Sequence, residues 1–162
     1  MDEIVIRDFE PGDTDAVVEI TVLAWEPIFE SSRKRLGDEI FLAEHPDWRA
    51  SKGGSVRATL TRDDPARCLV AEADGRIVAF ATYNASDRGM GRLLNNAVHP
   101  EFQGKGIGSR MYALVFERLR GLGCRFVRVH TGLDDAHAPA RRAYERQGFR
   151  MLSKSCEYFM EL

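Results

Sequence analysis

The stretch from Arg92 to Leu119 constrains the fold of this chain more than any other. Residues 92–99 read as a strand, and Pro100 ends it because proline cannot donate to a sheet ladder. Glycine then takes every second position, at Gly104, Gly106 and Gly108, before Ile107, Met111, Leu114, Val115 and Leu119 repeat at the spacing of one buried helix face. A strand that hands over to a helix through glycines sets the unpaired N–H groups of a first helical turn at the end of a sheet, with the helix dipole behind them. Absent Cβ atoms let a phosphate approach those groups, and Lys105 adds positive charge. The loop lacks the Lys-Ser/Thr ending of a nucleotide-triphosphate loop and the spacing of a dinucleotide fingerprint, so neither ATP nor a dinucleotide is supported.

The other elements alternate around this one. Ile4, Ile6 and Phe9 suggest an opening strand, and Ala16, Val17, Ile20 and Leu23 a helix that Pro27 breaks or kinks. A second helical stretch is expected from Ser31 to Ala43, a loop through HPDWRASKGG, a short helix from Ser55 to Leu60 and a turn at TRDDP. The run CLVAEADGRIVAFATYN reads as a hairpin about Asp74-Gly75. Residues 126–131 form a later strand. Pro139, Ala140, Ala143 and Tyr144 define a last helix stopped by Gly148, and closing strands follow.

Composition narrows the class. The chain has 162 residues, 44% apolar and 30% charged, which fits one domain over 1–162 that buries a core without disulfides or a structural metal. Three cysteines, Cys68, Cys124 and Cys156, with no CxxC pair suggest buried, reduced thiols and a cytoplasmic setting. The acidic start and the lack of a long apolar run speak against a leader peptide and a membrane span. A net charge of −2 excludes a strongly basic nucleic-acid binder, but the sign reverses along the chain. Residues 1–100 carry 12 Lys+Arg against 18 Asp+Glu, and residues 101–162 carry 11 against 7, so an anion prefers the second part.

With these residues in place, the chain resembles the GNAT acetyltransferase superfamily. Its motif Q/R-x-x-G-x-G/A is met by Gln103, Gly106 and Gly108, and its second signature A-x-x-x-Y-x-x-x-G-F by Ala140, Tyr144, Gly148 and Phe149. The resemblance implies a single α/β (α+β) domain. Its mixed, mostly antiparallel sheet would have six to seven strands with helices on both faces and a splayed parallel strand pair forming an acyl-CoA cleft. It also implies acetyl-CoA as acyl donor, no metal, and transfer to a primary amine of a small molecule or peptide by direct attack in a ternary complex, in a possible homodimer.

Roles follow from the resemblance residue by residue. The backbone of Ala97 and Val98 would meet the pantetheine and the thioester carbonyl, the Val98 N–H as an oxyanion donor. Gln103, Gly104, Lys105, Gly106, Ile107, Gly108 and Ser109 would cradle the pyrophosphate. Tyr144 would protonate the departing thiolate, with Ala140 and His137 beside the cofactor, His137 standing where many relatives have asparagine. Arg92 occupies the place of the usual glutamate base; His130 is the candidate base in its stead, with His99 at the end of the other cleft strand, Asp134, Asp135 or a relayed water as alternatives. The first 50 residues hold 13 Asp+Glu against 5 Lys+Arg, so Trp25, Glu26 and Phe29, with Trp48 near them, suggest an aromatic and anionic pocket for a cationic amine. Two other classes stay open: a CoA-binding regulatory module without turnover, and an O-acetyltransferase.

Overall fold

Five strands form one sheet in chain order: β1 (Ile4–Asp8), β2 (Arg67–Ala73), β3 (Arg76–Ala85), β4 (Met90–Val98) and β5 (Phe126–Arg128). The computed structural model describes residues 3–61 and 67–161; most of the turn expected at TRDDP lies outside the described residues. Neighbours pair antiparallel except β4 and β5, which run parallel. Asp74 and Gly75 make the β2–β3 turn with φ of 49° and 75°, the left-handed pair that matches strand twist in a tight hairpin.

The sheet is covered on both faces because its central strands alternate two apolar sets. Cys68, Val70 and Phe80 face Val17, Ile20, Val56 and Leu60 of the first two helices, α1 (Thr14–Glu44) and α2 (Trp48–Thr61). Leu69, Ala71 and Leu93 face Ile107, Met111, Val115 and Leu119 of α3 (Ile107–Gly121), with Tyr144 of α4 (Ala138–Arg146) in the same layer. Gly91 sets the distance between β4 and α3. A Cβ there would lie 2.7 Å from Leu119 Cδ1.

Several expectations are corrected. Pro27 does not interrupt α1; the proline is exposed, where water can take the carbonyl it leaves unpaired. The backbone leaves helical geometry at Gly37 instead, with φ 77° and ψ 163°, a conformation open to glycine but strained for other residues. HPDWRASKGG is not a loop, since α2 begins at Trp48, with the Asp47 carboxylate accepting the Ala50 N–H at 3.1 Å. Gly53, which suggested a loop, is a packing residue: a Cβ there would stand 3.1 Å from Val18 Cγ1, so the glycine lets α1 and α2 approach. The later strand spans Phe126–Arg128 rather than residues 126–131. The sheet has five strands among the described residues, not six to seven, because residues 150–161 carry no secondary structure and are exposed. Nor are all the thiols buried: Cys68 is, and burial pushes its pKa up to about 12, but Cys124 is partly buried and Cys156 exposed.

Arg7 on β1 ties the start of α1 to the sheet. Its guanidinium donates to both Asp13 carboxylate oxygens at 2.7 and 2.9 Å and to Glu72 Oε2 on β2 at 3.1 Å, while Asp13 Oδ2 also accepts the Glu10 N–H at 2.8 Å. The hydrogen bonds from Arg7 hold the Asp13 carboxyl below the usual carboxylate range. A carboxylate depressed in the folded state stabilises above its ordinary pKa of about 3.9, and that stability is lost as pH falls through the depressed value. Asp13→Asn is therefore expected to cost about 1–2 kcal/mol near neutral pH, with the gap to wild type closing on acidification below about pH 4, as urea unfolding across pH will show. Gly91→Val should cost about 1–3 kcal/mol through overpacking against Leu119, read as a lower urea midpoint at an unchanged slope.

Candidate functional site

The site originates in an irregularity of β4. Ala81 pairs with Asn96 but Tyr83 pairs with Leu93, so two residues of β4, Leu94 and Asn95, stand opposite the single Thr82. Thr82, fully buried, pins the bulge: its Oγ1 accepts the Asn95 N–H and donates to the Asn95 carbonyl, both at 2.9 Å. β5 follows β4 only as far as Arg92 opposite Arg128, and beyond that pair no ladder joins the two strands. A parallel pair that stops pairing midway leaves a cleft between its diverging ends.

Backbone direction in the cleft follows from the ladder. The His99 N–H donates to the Val78 carbonyl at 2.8 Å, so His99 and Ala97 turn their polar groups toward β3, and the alternate residues, Asn96 and Val98, turn theirs toward the cleft. The Val98 carbonyl is taken by Gln103 Nε2 at 3.1 Å. Its N–H is left facing the gap. A cavity of about 60 Å³ lies beside it between β3, β4 and α3, bounded by Ala81 of β3, Asn96 and Val98 of β4 and Gly108, Met111 and Tyr112 of α3. The Asn96 side chain enters on the α3 side, where it meets Tyr112, while the Ala97 side chain packs against the α1–α2 layer on the other face of the sheet, so that Ala97 offers the α3 side only its backbone.

The glycine loop sits at the end of this cleft. A 3₁₀ turn at Pro100–Phe102 leads into it, and Gly106, with φ 77°, is the N-cap of α3. No backbone carbonyl among the described residues accepts the N–H of Gly104, Lys105 or Gly106, and the first-turn N–H groups of Ile107, Gly108 and Ser109 have no intrahelical acceptor. A Cβ at Gly104 or Gly106 would meet nothing within 4 Å, so both positions open outward. Ile107 is buried and anchors the loop, whereas Lys105 lies over the Phe102 ring at 4.6 Å.

Tyr144 enters from α4. It is 7% exposed, and its hydroxyl meets Asn96, accepting from Nδ2 at 3.2 Å; Tyr112 donates to Asn96 Oδ1 at 2.7 Å. Burial raises the pKa of both phenols, so each keeps its proton through the neutral range. Asn96 and Tyr112 were not singled out from sequence. A pair of asparagines inside a strand, where that residue type is depleted, was the available signal for Asn96; Tyr112 lies one position off the apolar stripe of α3 and offered none.

The remaining candidates separate into two groups. His137 bonds through Nδ1 to Asp134 Oδ2 at 2.6 Å at the entrance to α4, where Ala140 is partly buried, and Arg141 donates to the carbonyls of Gly132 and Asp134 at 2.7 Å each. His99 is buried against Arg76, with Nε2 2.9 Å from its guanidinium. Asp135 and His130 are exposed, His130 just beyond β5, and Arg92 is exposed at the head of the cleft. Across the sheet, the Trp25 ring carries Lys52 Nζ at 4.2 Å, and Lys52 donates to Asn95 Oδ1 at 2.8 Å beside the bulge. Burial lowers the Lys52 pKa. Glu26 is paired with Arg49, and Phe29 stacks on Trp48 at 4.3 Å with His45 and Phe41 at its edges. The three residues do not converge on one open pocket.

Known proteins fit this arrangement. The profile described as Acetyltransferase (GNAT) family matches residues 19–149. A mycothiol acetyltransferase from Actinosynnema mirum is 28% identical over 96% of this chain and 47% of its own length, and one from Thermomonospora curvata is 30% identical over 91% and 44%. The chain spans under half the length of these relatives. Among solved structures, a GNAT family acetyltransferase from Brucella melitensis in complex with acetyl-CoA superposes with a TM-score of 0.66 at 22% identity, covering 93% of this chain and 85% of that one. The PaiA N-acetyltransferase from Thermoplasma acidophilum in complex with coenzyme A gives 0.73 at 16%, covering 94% and 93%. With a match across most of its length, and with the bulged strand, splayed pair and glycine loop in order, the chain belongs to the acetyltransferase (GNAT) family.

Proposed function

We propose that the chain transfers an acetyl group from acetyl-CoA to a primary amine of a small molecule or peptide, by direct attack within a ternary complex, and that it works as a homodimer. The observation that carries this reading is the unpaired Val98 N–H facing the cleft. A donor fixed by the sheet and aimed at a gap stabilises charge growing on the thioester oxygen without having to reorient. The amides of residues 104–109 hold the pyrophosphate, and Lys105 supplies countercharge. His137 and Ala140 lie along the cofactor on the α4 side, and His130 takes the proton that the attacking amine loses. As the C–N bond forms and the C–S bond breaks, Tyr144 gives its proton to the departing thiolate.

Because similar proteins are named mycothiol acetyltransferases, an acceptor panel should include mycothiol-type small molecules. Trp25, Glu26 and Phe29 lie on the acceptor side of the sheet, with Lys52 filling the Trp25 face. The exposed Arg92, standing where a carboxylate base is usual, favours the second reading of a CoA-binding module without turnover. Thiol release from acetyl-CoA with amines, alcohols and no acceptor separates amine transfer, O-acetylation and silent binding.

Tyr144→Phe keeps the ring and its packing while deleting the hydroxyl. Expected is a fall in kcat of about 10²–10⁴ with acetyl-CoA affinity unchanged, because a proton delivered only as the bond breaks contributes nothing to the bound ground state. Turnover within a few-fold of wild type would remove the general-acid role. Gly106→Val should abolish CoA binding by calorimetry, since its side chain would project into the phosphate's approach. Its left-handed backbone should cost the fold about 1–2 kcal/mol, small enough to leave the variant folded. Unchanged CoA affinity would remove the loop from the cofactor site.

A further inference from the structure

Three cations on one side of the cleft have no carboxylate partner. Gly91 and Leu93 of β4 face α3, where a Cβ on Gly91 would meet Leu119 and where Leu93 belongs to the buried cluster, so Arg92 between them projects from the opposite face, that of α1 and α2. On β5, Val127 and Val129 pack on the same α3 layer, which turns Arg128 to the α1–α2 face as well. Arg92 and Arg128 are partners in the parallel register, and the neighbour of Arg92 on its other side is the uncharged Asn84. Among the described residues, neither arginine joins an ion pair. Like charges directly opposite on a sheet repel, and an anion bound between them removes that cost.

Lys52 is the third cation, on the same face and next to the bulge. It comes from α2, with its ammonium over the Trp25 ring at 4.2 Å and donating to Asn95 Oδ1 at 2.8 Å. Asn95 lies three residues beyond Arg92, about 10 Å along the strand. An indole face and an amide oxygen stabilise an ammonium without neutralising it, and two of its three N–H donors are left over. Burial lowers the Lys52 pKa, as it does for a cation held out of water. Glu26, which follows Trp25 in α1, does not supply the missing charge, because it is bound to Arg49.

We propose that Lys52, Arg92 and Arg128 make the acceptor site selective for an amine that also carries a carboxylate, as a free amino acid or a short peptide with a free C-terminus does. Lys52 pairs with the carboxylate beside the bulge while the amine reaches the cleft, and the arginine pair keeps the same face positive, drawing anionic acceptors to it. The covalent step is unchanged; the three cations act on binding. This is the reverse of the cationic amine expected from the acidic composition of the first 50 residues. The inference rests on the acetyl transfer proposed above and names the class of its acceptor.

Acetyl transfer to a panel of amino acids and dipeptides, each supplied as the free acid and as its C-terminal amide, tests it. For the best acceptors kcat/KM should be about tenfold to hundredfold higher for the acid than for its amide. Lys52→Met keeps a chain of similar length on Trp25 and should bring that ratio close to one. A lysine that only braced the bulge would, when replaced, lower acid and amide together and leave the ratio, and that result would overturn the proposal, as would equal use of both forms by wild type. Arg92→Gln and Arg128→Gln should each weaken the fall of acid kcat/KM with added salt; an unchanged salt dependence would remove the arginines from the site. Calorimetry of the CoA complex with the same acid and amide pairs is read without turnover. Tighter binding of the acids by a protein that transfers nothing supports the anion site and removes the transfer reading, whereas transfer with no preference for acids keeps that reading and overturns the anion site. Binding of neither form overturns it as well.

Discussion

The bulge that Thr82 pins at Leu94–Asn95 is the constraint on which the site depends. Without the extra residue, β4 would continue its ladder with β3 in one register and its later amides would point the other way, because backbone direction alternates with period two. With it, Asn96 and Val98 turn toward β5, and β5 has already left. Thr82 is fully buried with its hydroxyl both donating and accepting, so the irregularity costs no orphaned polar group in the core. One side chain thereby stabilises the kink and determines where a backbone donor points.

Around that kink, polar groups are held at fixed distances by neighbours that are themselves buried. Asn96 stands between the hydroxyls of Tyr112 and Tyr144, each on a different helix, so α3 and α4 are registered against β4 through one amide. Burial keeps both phenols protonated. The glycine loop solves the opposite problem: its amides have no acceptor among the described residues and lie at outward-opening positions, where an anionic ligand can satisfy several at once. A neutral donor at one end of the cleft and an anion cradle at the other suit a ligand with a charged handle and an uncharged reactive end.

The α1–α2 side of the sheet is arranged by pairing rather than by net charge. The first 50 residues are acidic as a composition, yet Glu26 is matched by Arg49, Asp13 by Arg7 and Asp15 by Arg57, so these carboxylates are not free charges. The group next to the bulge is a cation, Lys52, lying on an indole and an amide. Net charge over a segment is a sum, whereas a site responds to the charges left unpaired within a few ångström of it.

The sequence by itself determined the elements that local rules govern. Pro100, the glycines of the loop and the stripe from Ile107 to Leu119 specify a strand, a turn and a helix through backbone sterics and side-chain period, and the pattern around Ala140, Tyr144 and Gly148 specifies the last helix in the same way. Those segments also carry most of the cofactor candidates, which is why the glycine loop, Val98 and Tyr144 stand out as candidates in the sequence itself. Contacts between distant segments were not legible. Gly53 reads as a helix breaker until Val18 is seen beside it, and Asn96 reads as a strand residue until two tyrosines from separate helices meet its amide. Residues 155–161 show the same limit from the other side: alternation gives them the pattern of a strand, but a strand forms only where an edge offers its hydrogen bonds. Which edge is available is a property of the assembled sheet.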